Sequence, residues 1–202
     1  MRERVVNLFK AVARHRGESI SDLAAEALNF ARDSVRTAYW LRACDEVGTG
    51  VRCEGPVIVK NQGRIVIGRK VRFKSVWNPI EISAGHGAEL TIGEEAFINY
   101  GVLISARSRV TIGRGVLIGN HTVIADTEHP GPLDGSSVEQ PRPIVIEDGA
   151  WLAVRVVVLP GCRIGANTVV RAGSVVSGDL PANVIAGGVP AQVLRTSAAA
   201  AG

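Results

Sequence analysis

From Ile146 to Val176 an aliphatic residue returns at every sixth position: Ile146, Leu152, Val158, Ile164, Val170 and Val176. Four places after each stands Ala150, Val156, Cys162, Thr168, Ser174 or Leu180, mostly small. A period of six matches neither the 2.0 of a strand nor the 3.6 of a helix, so no single regular element explains it. It is the spacing of a parallel β-helix, in which each hexad supplies a short strand with one inward aliphatic and then turns a corner. Small residues suit the corners, where backbones crowd and some positions adopt positive φ. Stacked coils bury a continuous aliphatic column, each coil touching only its neighbours.

The same mark extends towards the N-terminus with interruptions. Ile92-Gly93, Ile98 and Ile104 share one phase; Ile112-Gly113, Ile118-Gly119 and Ile124 share another, offset by a two-residue slip. Ile67-Gly68 opens an earlier turn and Ile82 a less regular one. The β-helix is therefore expected over about residues 51–190, broken by one excursion at about 127–143 and followed by a tail at 191–202. Residues 1–50 read as a helical segment. Val5, Val6, Leu8, Phe9, Val12 and Ala13 make one apolar stripe that Gly17 can end. Ile20, Leu23, Ala24, Ala27, Leu28, Ala31, Val35 and Ala38 follow helical spacing from a Ser19 cap. These helices are expected to cover an end or flank of a mainly β domain.

Composition agrees. The chain is 46% hydrophobic but only 4% aromatic, and it holds 23 glycines. Such a core suits a narrow repetitive stack better than an ordinary sandwich or bundle. The net charge of +4 comes mostly from residues 1–42, with eight basic and five acidic side chains. That is no dense basic stripe, which argues against nucleic acid as a partner. A basic amphipathic segment leaves open a peripheral membrane contact. Cys44, Cys53 and Cys162 form no pair motif, and the charged N-terminus lacks an apolar signal core, so reduced thiols in a cytoplasm are expected. No run approaches the roughly 20 apolar residues of a membrane span. Cys162 falls on a small inward position and reads as core rather than nucleophile.

Several phrases are more particular than the repeat: Ala96-Phe97-Ile98-Asn99-Tyr100, Thr127-Glu128-His129-Pro130, Trp151, Leu159-Pro160-Gly161, and the tail from Asp179 to Pro190. In this order and at these spacings they resemble the hexapeptide-repeat acyltransferases, in particular their galactoside and maltose acetyltransferase branch, over about residues 60–195. The resemblance implies left-handed coils, an exception to the usual right-handed crossover. It also implies a homotrimer with sites between subunits, acetyl-CoA as donor and no metal. A cyclic trimer suits a three-sided prism, whose flat walls permit heterologous packing that closes.

Acyl transfer to a hydroxyl needs a base, donors for the tetrahedral oxyanion, and two substrates held together. Of the four histidines, His15 falls in the helical segment, His86 in a flexible turn and His121 at an outward place in the Ile118 hexad. His129 stands where the chain leaves the β-helix for its longest loop, and Pro130 fixes the exit. The family's catalytic base lies at the matching histidine. Asp126 or Glu128 could hold the imidazole's tautomer, with Asp126 favoured. The resemblance makes Asn99 an acceptor-holding and oxyanion-stabilising amide, and sets Trp151 near the acyl and acceptor pocket. It implicates Val154, Ala172, Ser177 and Gly178 along the pantetheine arm, and Arg195 at the nucleotide phosphates. Gly178 replaces a frequent lysine and Gln192 a frequent arginine, which brings in Arg155, Arg163 or Arg171 for CoA. Arg107 stands where the galactoside enzymes carry an acceptor-binding aspartate, which points to an acidic sugar, a sugar nucleotide or a lipid-linked glycan.

The reading from sequence is thus an acetyl-CoA-dependent O-acetyltransferase of a saccharide or related metabolite. N-acetylation of an amino sugar on the same scaffold is its alternative. A zinc lyase of the γ carbonic anhydrase type would need three convergent histidines, and His86, His121 and His129 are available. A non-catalytic solenoid scaffold is the remaining reading.

Overall fold

The computed structural model describes residues 34–127 and 140–196. The chain divides into two units, Met1–Tyr39 and Trp40–Gly202. Of the first unit only residues 34–39 are described, and they are helical. The earlier helical patterns, apart from Val35 and Ala38, lie outside the described residues, as does His15. The second unit is the parallel β-solenoid that the hexads require.

Three sheets run along it, each coil adding one strand to every face in turn. The first face stacks Glu46–Val47, Arg64–Ile67, Glu89–Ile92, Arg109–Ile112, Ile144–Ile146 and Arg163–Ile164. The second stacks Arg52–Cys53, Arg72–Lys74, Phe97–Asn99, Leu117–Ile118, Trp151–Leu152, Val169–Val170 and Val184–Gly188, and Ala191–Thr196 closes it antiparallel. The third stacks Val57–Asn61, Ile80–Ala84, Leu103–Ala106, Val123–Ala125, Val157–Val158 and Val175–Val176. The first paired strand therefore begins at Glu46, in a stretch without the aliphatic six-residue mark.

The six-residue aliphatics all point inward. Ile146, Leu152, Ile164, Val170 and Val176 are wholly buried, as are Ile92, Ile98, Ile104 and Ile124 in the earlier coils. The small residues four places on are buried with them, Cys162 included. Its thiol donates to the Val176 carbonyl at 3.3 Å, and burial pushes its pKa up, so it is core. At the corner between the first and second faces, Gly50, Lys70, Glu95, Gly115, Gly149, Asn167 and Asn183 all adopt φ between 56° and 75°. The left-handed conformation is thus imposed by the coil even on residues with a Cβ.

The faces differ outside. The first is laced with Arg64–Glu46, Arg109–Glu89 and Arg163–Glu147 ion pairs, the pattern of a wall left to solvent. The second carries an outward column of Phe97, Leu117, Trp151, Val169 and Ile185, in register from strand to strand. The third carries Leu103, Val123, Val157 and Val175 in the same way.

The two-residue slip between phases is a widened corner at the end of the third face. Arg107 and Ser108 are the extra residues, and the fully buried Asp126 of the next coil takes their amides. Residues 128–139 follow. Arg142 then donates its amide to the Asp126 carbonyl at 2.8 Å, so the excursion leaves and returns at one edge.

Candidate active site

That edge, where the third face turns back to the first, holds a cleft of about 940 Å³. Its walls include Lys60, Glu81, Ser83, Leu103, Arg107 and Thr127, with Pro160 beyond. Three chain segments open it: the turn at 61–63, the turn at 84–88 that carries the exposed His86, and the Arg107–Ser108 corner. Arg107 lies across Gly85, where an added Cβ would meet its side chain at 3.1 Å. Asp126 fixes this corner. Its Oδ1 accepts from the Arg107 amide at 2.7 Å, and its Oδ2 accepts from Ser108 and Arg109 at 2.7 and 2.8 Å. Three of a carboxylate's roughly four acceptor places are thereby spent on backbone. Thr127 is the last residue described before His129, so the histidine itself lies outside the described residues.

A second group of polar residues gathers at the opposite side of the third face, on the corner it shares with the second. Asn99 ends its second-face strand there, and its Oδ1 accepts the Tyr100 amide at 2.9 Å. That bond engages Oδ1, and the NH₂ makes no hydrogen bond among the described residues. His121 and Arg155 occupy the same corner in later coils, with φ of 57° and 56°. Val154 and Ala172 precede Arg155 and Gly173 and are exposed. The Tyr100 hydroxyl accepts from Asn120 at 3.1 Å, and Trp77 and His121 each meet the Tyr100 ring edge-on.

A family model described as bacterial transferase hexapeptide (six repeats) matches residues 143–178. Galactoside O-acetyltransferase of Escherichia coli is 35% identical over 124 residues, 60% of this chain and 61% of that one. An E. coli protein named for O-acetyl transfer in lipopolysaccharide biosynthesis is 29% identical over 83% of this chain and 87% of that one. A hexapeptide-repeat acetyltransferase of Vibrio cholerae, solved with acetyl-coenzyme A, is 28% identical with a TM-score of 0.58, over 81% of this chain and 76% of that one. The chain is thus similar to hexapeptide-repeat acetyltransferases over most of its length, and residues 143–178 carry the repeat itself. It spans 61% of the galactoside enzyme's length.

Among the hexapeptide-repeat residues singled out by sequence, the structure forms two sets. Asn99, Val154 and Ala172 share the corner between the second and third faces. Arg107, Asp126, Ser177 and Gly178 share the edge between the third and first, and Thr127 leads from it towards His129. Trp151 stands outward on the second face in the column of Leu117, and Arg195 lies in the closing strand opposite Ile185. The two sets are not together within one chain. Five residues separate Val102 from Arg107 along the third face, which is roughly 16 Å of strand. Of the three arginines considered for CoA, Arg155 and Arg171 lie towards the Asn99 corner, whereas Arg163 is tied to Glu147 on the first face.

Two features escaped the sequence reading. Asp126 is a backbone staple for the neighbouring coil, and Tyr100, Trp77 and His121 form a contiguous set of rings. The spacing of 18 residues that stacks Val154 on Ala172 would have sorted the site residues by edge. No such spacing relates Trp77 to Tyr100, because their coil is longer. Among the described residues no cluster of three or more His, Cys, Asp or Glu side chains has an arrangement able to hold a metal. His86 and His121 stand at opposite edges of the third face. No helix among the described residues is long and apolar enough to cross a membrane.

Proposed function

We propose that this chain transfers an acetyl group from acetyl-CoA to a saccharide hydroxyl, at a site built between two copies in a homotrimer. His129 of one copy works opposite Asn99 of the next. The observation that carries the reading is the division of the candidate residues between two edges of one face. Thr127 continues the register that pairs Ala125 with Ser105, so it lies level with Arg107. The two residues from Thr127 to His129 span at most about 7 Å, less than half the width of the face. A neighbour packed on that face would bring its own Asn99 corner to the His129 edge. The second and third faces, with their in-register apolar columns, are the walls suited to such packing, and the first face, with its three ion pairs, is the wall suited to water.

In this assembly the neutral imidazole of His129 takes the acceptor hydroxyl's proton as the oxygen attacks the thioester carbonyl. The tetrahedral oxyanion draws a hydrogen bond from the Asn99 amide, whose carbonyl is already held by Tyr100. Collapse of the intermediate expels the CoA sulfur, which receives the proton back from the imidazolium. Val154 and Ala172 on one side and Ser177 and Gly178 on the other flank the pantetheine arm, with Arg155, Arg171 and Arg195 available to the phosphates. Arg107 faces the acceptor and favours an anionic one. Asp126 supports the imidazole through the corner it fixes, with one acceptor place of Oδ1 left for direct contact.

The test is calorimetric titration with CoA, followed by incubation with acetyl-CoA and paired hydroxyl and amino-sugar acceptors, the product located by mass spectrometry. Acetyl on oxygen supports the reading. Acetyl on nitrogen would replace it with the amino-sugar alternative, and failure to bind CoA would end both.

A further inference from the structure

Around Asn99, on the side away from Val154 and Ala172, the chain displays an array that the acetyl-transfer step does not use. Trp77 is 74% exposed, the most open of the large apolar side chains described. Its ring meets Tyr100 edge-on at 5.0 Å and 83°, and Tyr100 meets His121 at 5.3 Å and 87°. The Tyr100 and His121 rings are held in place. Asn120 donates to the Tyr100 hydroxyl, and the imidazole of His121 lies on Gly101, where any Cβ would run into it. Gly101 itself has φ of 67°.

A cation completes the array. Lys74 is in register with Asn99 on the adjoining strand, and both point outward, one rung or about 4.8 Å apart. Arg72, two residues before, lays its guanidinium over the Phe97 ring at 5.1 Å. Lys74 has no ion pair among the described residues. Glu54, which follows Cys53 in the rung beneath, is the nearest carboxylate along the strand and makes none with it.

We propose that Lys74, Trp77 and Tyr100 form a subsite for a second, carboxylate-bearing sugar of an oligosaccharide acceptor. The proposal rests on the acetyl-transfer reading, because it needs the reacting hydroxyl at Asn99. Donor residues occupy the later coils of this corner and the ring array the earlier ones, so a molecule seated on the array is continuous with the acceptor. An exposed indole offers a flat apolar face to the C–H face of a pyranose, and the Tyr100 ring meets it edge-on. The free ammonium beside it selects a carboxylate.

The experiment uses the full chain without acetyl-CoA, titrated calorimetrically with digalacturonate and with neutral galactobiose. The acidic disaccharide is expected to bind about tenfold more tightly at low salt. Lys74→Gln should cut that preference severalfold, leaving the share due to Arg107, and retain the neutral sugar, whereas Trp77→Ala should weaken both by tenfold or more. CoA affinity should stay unchanged in each variant. Equal binding of the two sugars, no binding of either, or variants that behave like the parent overturn the subsite. So does dissociation of the oligomer in Trp77→Ala on sizing, since the indole would then serve contact between copies. Loss of CoA binding by the parent chain strikes the acetyl-transfer reading instead, and the sugar titrations stay interpretable on their own.

Discussion

Replacing Asp126 with Asn tests whether this carboxylate is a structural staple. Oδ1 survives as an acceptor for the Arg107 amide, but an NH₂ group takes the place of Oδ2. That group would face the Ser108 and Arg109 amides donor against donor, and both N–H groups would lose their acceptor. A hydrogen bond to a charged group contributes about 1.5–3 kcal/mol, and the corner is only partly buried, so water recovers some of the loss. Two such bonds at the low end give about 3 kcal/mol. With a urea slope of about 2 kcal/mol per molar, the midpoint should fall by roughly 1.5 M at matched protein concentration. Asp126→Ala, which removes all three bonds, should fall at least as far. A shift below about 0.3 M in both variants, with turnover lost, would refute the staple and make Asp126 chiefly a partner of the imidazole.

Ile118→Ala empties part of a wholly buried column between two coils and should cost about 2–5 kcal/mol by denaturation; under 1 kcal/mol would mean that the column is loosely packed. Burial and the neighbouring Asp45 push the Cys44 thiol up to about 12, so its thiolate fraction at pH 8 is on the order of 10⁻⁴. Ellman's reagent should label it far more slowly than glutathione in the native chain and at an ordinary rate after unfolding. The Asp45 carboxyl is held below the usual carboxylate range, first by the Ile65 amide and then by Asn61. Its contribution is complete above the unfolded-state pKa and is lost as pH falls through the lower folded-state value. Asp45→Asn should therefore flatten the acid limb of stability while losing ground at neutral pH; an unchanged acid limb would show that the carboxylate is not linked to folding.

The hexads were legible because each coil contacts only its neighbours, so a one-dimensional period maps onto depth in the core. Ile92 through Val176 fall inward where that period places them. The slip at Arg107–Ser108 was visible as a break in phase, but its cause was not. Asp126 lies 17 to 19 residues from the amides it binds, and nothing local distinguishes it from a loop carboxylate. The ring array was hidden for a related reason: Trp77 and Tyr100 are 23 residues apart across an irregular turn, outside the 18-residue stride of regular coils. Asn99 and the His129 phrase were recognisable one by one. That Asn99 lies at one edge of the third face and Thr127, which leads to His129, at the other emerges only when the strands are stacked.

Complementation between two inactive variants measures that division directly. His129→Ala and Asn99→Ala chains, each without activity alone, are co-expressed and purified as mixed trimers. If each site takes its histidine from one copy and its asparagine from the next, random mixing leaves about a quarter of the interfaces intact, and about a quarter of the parental rate returns. Mixed trimers that remain as inactive as either parent would place both residues in one chain and contradict the account.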